Sequence, residues 1–143
     1  MAYNEQYREN LRPAVEGMLA DTTAASIISR TVEAAVGFGK PVKQGATDHT
    51  VVPVETGDTS VLGITVRSQA APAGSVDEFP ANDTAPILLK GPIWVVAGSA
   101  VSAGEPVFVT VDGGAFGDAS GAGNVQIAGA FWETSTTAGS QLA

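Results

Sequence analysis

From Ile27 onward, apolar and polar positions alternate in short runs that turn residues interrupt. IISRTVEAAV (27–36), TVVPVE (50–55), VLGITVR (61–67), PILLK (86–90), PIWVVAG (92–98), EPVFVTV (105–111) and VQIAGAFWE (125–133) each read as a strand. Between them lie GATDH, ETGDTS, APAGS, PAND and DGGAFGDASGAG, segments made of turn-forming residues. Short strands at this spacing predict an all-β sandwich or barrel. Pro53 lies inside its run, which predicts an edge strand, because proline has no N–H for a second neighbour. The stretch 68–85, SQAAPAGSVDEFPANDTA, is predicted as the longest loop.

Residues before Ile27 have a different texture. MAYNEQYRENLR (1–12) is polar, with Tyr3, Tyr7 and Leu11 at near-helical spacing. PAVEGMLA (13–20) predicts a short helix with Pro13 at its first position and Gly17 as a weak point. DTTAAS (21–26) reads as a loop. The predicted organisation is an arm over 1–26, a β domain over 27–137 and a loose tail over 138–143. Tyr3, Tyr7, Arg8, Leu11, Arg12, Met18 and Leu19 are the arm's candidate partner contacts: the apolar ones as anchors, the arginines as partners for carboxylates.

The chain also echoes itself. AVGFGKPV (35–42) and AVSAGEPV (100–107) share Ala, Val, Gly, Pro and Val in register. VLGITVRS (61–68) resembles IAGAFWET (127–134), with Gly63 and Gly129 in corresponding places. Gly39 and Gly104 are expected at positive φ, and Pro41 and Pro106 at strand entrances. The echo predicts two similar β units, about 28–67 and 92–134, packed around one core.

Composition supports the β reading and narrows the chemistry. Val and Thr are abundant and Leu is sparse, which suits a pleated surface better than a helix. There is no cysteine, so disulfides, thiolate nucleophiles and cysteine-based zinc sites are excluded. His49 is the single histidine. Seven basic against fifteen acidic residues give a net charge of −8, which a nucleic acid would repel. Residues 91–143 carry Glu105, Asp112, Asp118 and Glu133 and no Lys or Arg. No apolar run has the length needed to cross a bilayer as a helix, and residues 1–20 lack a signal-peptide pattern.

Each motif that could carry chemistry has a plainer reading. His49 lies in a polar turn without the oriented base and oxyanion site of a triad. GFGKP (37–41) lacks the spacing and following helix of a phosphate loop. DGGAFGD (112–118) lacks the ligand order of a calcium loop. Asp77, Glu78 and Asp83 cluster in the long loop without aromatic residues to hold a sugar. NDT (82–84) matches a glycosylation acceptor with no leader to support it. Trp94 and Trp132 fall in apolar strands and read first as core, second as partner-facing anchors. No catalytic, cofactor-binding or metal-ligating residue is assigned, and a structural or binding role is expected.

KGPIWVVAGSAVSAGEPVFVT (90–110), followed by IAGAFWETS (127–135), resembles the head decoration, or structural cement, proteins of tailed bacteriophages. That family shows a G-x-[IV]-W-V strand, an A-V-x-x-G-x-P-V turn and strand, and a late apolar A-x-W. ISRTVEAAVGFGKPVKQG (28–45) and VLGITVR (61–67) fit its first half, so the likeness covers roughly 12–137. The resemblance implies a compact β-barrel or β-tulip-like domain with an extended N-terminal arm. It implies a partner, the major capsid protein, bound at subunit junctions on the outer surface of the head, which the protein stabilises. It implies a homo-oligomer, with a trimer favoured over a dimer. It further implies residence in the host cytoplasm before assembly, and no nucleic acid, membrane or cofactor. The alternatives are a β-domain of a bacterial surface or adhesin protein and, third, a small jelly-roll enzyme.

Overall fold

The computed structural model describes residues 14–68, 78–139 and 141–143. Among these residues there are twelve strands and no helix. The strands are β1 (Ser26–Val32), β2 (Val36–Gly37), β3 (Pro41–Gln44), β4 (Thr50–Pro53), β5 (Gly63–Thr65) and β6 (Glu78–Phe79), then β7 (Thr84–Lys90), β8 (Val96–Ala97), β9 (Pro106–Thr110), β10 (Ala115–Gly117), β11 (Asn124–Phe131) and β12 (Gln141–Leu142). The expected all-β class holds.

Strands β1, β4, β3, β5 and β7 close into a five-stranded barrel. Alternation decides what fills it: in β1, Ile28 and Val32 reach the core while Ser29 is exposed. Val32, Val36, Phe38, Val42, Val51, Phe79, Ala85 and Ile87 form the barrel's core. Phe38 and Phe79 meet edge to face, with ring centroids 4.9 Å apart. The second half forms an open sheet in the order β11-β9-β10-β8-β12. Its core holds Val54, Val95, Ala97, Val101, Val107, Val109, Phe116 and Trp132, with Ile93 packed against it and with Val61 and Ile64 packed against it from the first half of the chain. The single shared core expected from the echo is therefore two clusters, because a barrel this narrow fills its interior with its own side chains.

Several pairings recur 65 residues apart. Val32 pairs with Val51 in parallel, and Ala97 with Phe116 in parallel. Lys43 faces Val52 and Gln44 faces Val51; Phe108 faces Gly117 and Val109 faces Phe116. Val32, Val36, Val42 and Val51 lie in the first core, and Ala97, Val101, Val107 and Phe116 in the second.

Five expectations are corrected. Residues 14–20 are not helical: Gly17 has φ +81°, its N–H donates to Trp94 O at 2.8 Å, and Leu19 bridges Ile93. That segment makes a turn at Glu16–Gly17, closed by Met18 N donating to Val15 O, then runs along 92–94, and it belongs to the folded body. The strand begun at Ile27 ends at Val32, and the chain turns through exposed Glu33–Ala35 before β2. β4 is not an edge strand. Proline is tolerated there because β1 pairs only with Thr50 and Val51, so the missing N–H of Pro53 falls beyond β1. The tail is tied down: β12 pairs with β8, and Ala143 and Val95 exchange two backbone hydrogen bonds. The long loop, too, carries β6, whose Phe79 is buried and pairs with Val36.

Gly39 and Gly104 have φ of +66° and +89°. Their surroundings differ. A Cβ on Gly39 would stand 2.8 Å from the backbone N of Gly17, whereas one on Gly104 would meet open space. Substituting valine at either position strains the left-handed backbone by about 1–3 kcal/mol. Gly39→Val adds a backbone collision and is expected to cost about 1–3 kcal/mol more, in the range of overpacking. Chemical denaturation of the two variants checks the difference, and equal losses would refute it.

Candidate interaction surface

Of the seven expected partner contacts, Tyr3, Tyr7, Arg8, Leu11 and Arg12 lie outside the described residues. Met18 and Leu19 are half-buried, and Trp94 N donates to Met18 O at 2.9 Å. These two are held by the protein's own backbone rather than carried on a free arm. Arg67 secures the same segment: its N–H donates to Gly17 O and its Nε to Glu16 O, both at 2.8 Å, and its guanidinium lies 4.9 Å above the Phe38 ring centroid. Of the four turn residues, Pro41 begins β3 and Pro106 begins β9, one residue after Lys40 and Glu105 accept from Thr65 N and Trp132 N.

The polar motifs take structural places. His49 is exposed in the turn before β4, and its carbonyl accepts from Thr31 N at 3.0 Å. DGGAFGD builds the β9–β10 hairpin, with Asp118 accepting from Ser102 N. Glu78 and Asp83 do not converge on a site: Glu78 is exposed in β6, and Asp83 Oδ1 accepts from Thr84 N. Asp77 lies outside the described residues.

What the fold does assemble is an apolar groove of about 600 Å³ between the barrel and the second sheet. Leu62, Ile64 and Leu88 line the barrel side, and Ile127, Ala130 and Phe131 the sheet side. Trp94 and Ala143 contribute further walls, and Lys90 and Glu133 are the charged residues in the lining. Leu89 and Phe131 are 44% and 59% exposed. Trp132, next to Phe131, is buried, with Nε1 donating to Gly117 O at 3.1 Å. Strand geometry explains this, since adjacent side chains point to opposite faces. The Phe131–Trp132 and Leu88–Leu89 doublets held that signal in the sequence: in a strand, one member of each pair must face outward.

β11 departs from its partner at the groove. Gln126 faces Phe108 and Phe131 faces Pro106, so five steps on β11 match two on β9, and residues 127–130 bulge toward the groove. β11 is also an edge of its sheet, and its eight residues, NVQIAGAF, include no charge and no proline. Charge and proline are the usual devices by which an edge discourages strand addition.

Charge pairs stand away from the groove. Lys43 Nζ lies 2.7 Å from Asp58 Oδ1, and Lys40 Nζ lies 2.7 Å from Glu16 Oε1. The Lys43 hydrogen bond, aided by the Glu55 N–H, holds the Asp58 carboxyl below its ordinary 3.8. The same bond raises Lys43 above 10.5. Glu33 is likewise lowered by hydrogen bonds from Thr50 Oγ1 and Ala46 N. A lowered carboxyl contributes stability above its unfolded pKa and loses it as pH falls through the folded value; a raised amine contributes below 10.5 and loses it as pH rises further. Asp58→Asn is therefore expected to flatten the fall of melting temperature below pH 3.8 and to shrink the fall above pH 10.5. Melting curves across pH check this, and unchanged slopes would count against the pair.

A family model described as structural cement protein (E217 gp24/Pam3 gp6) matches residues 3–143. Among solved structures, a chain from the capsid of Myoviridae phage XM1 aligns with a TM-score of 0.77 at 18% identity, over 99% of this chain and 94% of that one. No curated protein matches.

Proposed function

The chain belongs to the phage structural cement protein family, and from that premise we propose how it stabilises the capsid. It attaches to the outer surface of the assembled head, at junctions between major capsid protein subunits. The observation that carries this reading is the family match over nearly the whole chain, arm included. The polar groups described above serve turns and hairpins, which supports a non-enzymatic role. A ligand that binds the assembled shell and not free subunits stabilises the shell by mass action. Because each junction recurs around the shell, modest affinity at each contact is multiplied where one molecule touches several subunits.

The protein acts as a homotrimer, since a three-fold junction is matched most simply by a three-fold ligand, and waits in the host cytoplasm until heads assemble. Tyr3, Tyr7, Arg8, Leu11 and Arg12 make the arm's contacts with the shell.

Adding the purified protein to undecorated heads tests the reading: it should sediment with them and raise the temperature at which they rupture. Protein that stays in the supernatant would refute it. Native mass in solution or on the shell should be three times the 14.4 kDa chain, and a monomer in both places would refute the trimer. Residues 14–20 are part of the body, so the informative truncation is residues 2–13. It should leave the melting temperature within a few degrees and weaken sedimentation with heads about tenfold or more, the scale of losing one or two anchor side chains. Undiminished sedimentation would make the arm incidental.

A further inference from the structure

The turn A-V-x-x-G-x-P-V occurs twice, and its closing bonds match. Gly39 N donates to Thr65 O and Thr65 N to Lys40 O; Gly104 N donates to Trp132 O and Trp132 N to Glu105 O. Val32 and Val36 before the first turn correspond to Ala97 and Val101 before the second, and Val42 and Val51 after it to Val107 and Phe116. Gly39 therefore stands for Gly104, Lys40 for Glu105 and Thr65 for Trp132.

The first turn is covered by residues 16 and 17. A Cβ on Gly39 would stand 2.8 Å from Glu16 Cγ and 2.8 Å from Gly17 N. Lys40 Nζ holds Glu16 Oε1 at 2.7 Å. Two residues after Thr65, Arg67 N donates to Gly17 O at 2.8 Å. Gly39 is buried beneath this segment, and Lys40 is half-buried.

The second turn is bare. Ser102, Ala103, Gly104 and Glu105 are all exposed, and a Cβ on Gly104 would meet nothing within 4 Å. Two residues after Trp132, Thr134 is exposed, and its N–H donates to no described group. The turn is nevertheless firmly built. Ser102 N donates to Asp118 Oδ2 at 3.3 Å, Ala103 N to Ser135 Oγ at 2.9 Å and Glu105 N to Ser102 O at 3.2 Å. Its shape is fixed from within, with no chain segment resting on it.

We propose that the Gly104 turn is a docking site equivalent to the one that Glu16 and Gly17 cover on the Gly39 turn, and that a segment of the shell's major protein covers it on the capsid. The covered turn shows what the bare one accepts. The incoming backbone lies against Gly104, where no side chain stands in its way. It offers a carbonyl to Thr134 N, as Gly17 offers one to Arg67 N. The charge is reversed. Lys40 meets a carboxylate, whereas Glu105 is itself one, with Asp118 bonded to the same turn. Neither forms an ion pair with a described cation. The docking segment therefore carries Lys or Arg where this chain carries Glu16. Glu133 adds nothing to this count, because Lys90 stands with it in the lining of the groove. Size selects the shell over a second copy. Four turn residues offer far less than the roughly 800 Å² per partner that a stable pair of proteins buries. A shell repeats the contact at every junction, so a small one suffices.

This proposal rests on the cement reading, and the test tells their failures apart. Full-length Glu105→Lys and Asp112→Lys are compared with the wild type. Both change the charge of residues 91–143 equally, and only the first lies on the turn. Glu105→Lys should keep the wild-type melting temperature, since its side chain is exposed. It should sediment with undecorated heads about tenfold more weakly, the scale of one close interfacial charge pair. The loss should shrink as salt is raised. Asp112→Lys should sediment like the wild type. Equal sedimentation of the two variants, at either level, would overturn the site. Ala103→Cys supplies a single thiol, since the sequence has no cysteine. Labelled there with a benzophenone maleimide and irradiated on heads, the protein should form an adduct with the shell's major protein. An adduct with a second copy alone would overturn the shell as occupant. Wild type that sediments while Ala103→Cys yields no adduct sinks the turn and spares the cement reading; wild type that stays in the supernatant sinks both.

Discussion

Closure of the first sheet by β7 is the constraint on which the rest of the structure depends. A five-stranded sheet has two edges, and each exposes a row of backbone donors and acceptors. β7 satisfies both at once, pairing with β1 over six positions and with β5 at two. It is also buried on two faces: Ala85 and Ile87 belong to the barrel core, while Leu88 lines the groove outside. Closing the barrel draws its small core shut and leaves Val54, Val61 and Ile64 to pack against the second sheet. The position of the second sheet therefore follows from which barrel residues were left facing outward.

The second sheet could not be stable alone in the same way. Its outer strands are β11, bulged between Gln126 and Phe131, and β12, two residues long. It borrows apolar surface from the barrel, and the barrel gains a cover for strands that would otherwise face water. Ile93 and Leu19 tie the N-terminal segment across the same junction, as do the bonds from Gly17 to Trp94 and from Ala20 to Pro92. Residues 14–20 thus act as a strap across the boundary, which is why they are not helical.

The sequence was legible where burial imposes a period. Strands β1, β4, β5, β7, β9 and β11 carry alternating or continuously apolar runs, and each overlaps an expected strand, with boundaries shifted by up to a few residues. The short strands β2, β6, β10 and β12 were hidden, because two or three residues cannot establish a period. β3 was announced only at its start: Pro41 was expected at a strand entrance, but the four residues Pro41–Gln44 are too few to establish a period. The helix expected over 13–20 failed because local propensity was outweighed by hydrogen bonds to 92–94, which no local pattern announces. The groove was legible only in part. Phe131–Trp132 and Leu88–Leu89 showed that some large apolar side chain must face outward, but which member of each pair, and that both doublets meet, depends on the bulge in β11 and on strand order.

Charge and conformational economy give the surface its character. The described ion pairs, Lys43–Asp58 and Lys40–Glu16, both involve lysines of the first half, and residues 91–143 contain none. Acidic groups of that half are therefore uncompensated by any cation of their own half. Such a half meets a basic surface at a lower electrostatic cost than an acidic one. An uncharged edge strand beside an apolar groove would ordinarily invite aggregation. Here Asp118 and Glu133 bracket it in sequence, and charge close to an edge is one of the devices that oppose edge-to-edge pairing.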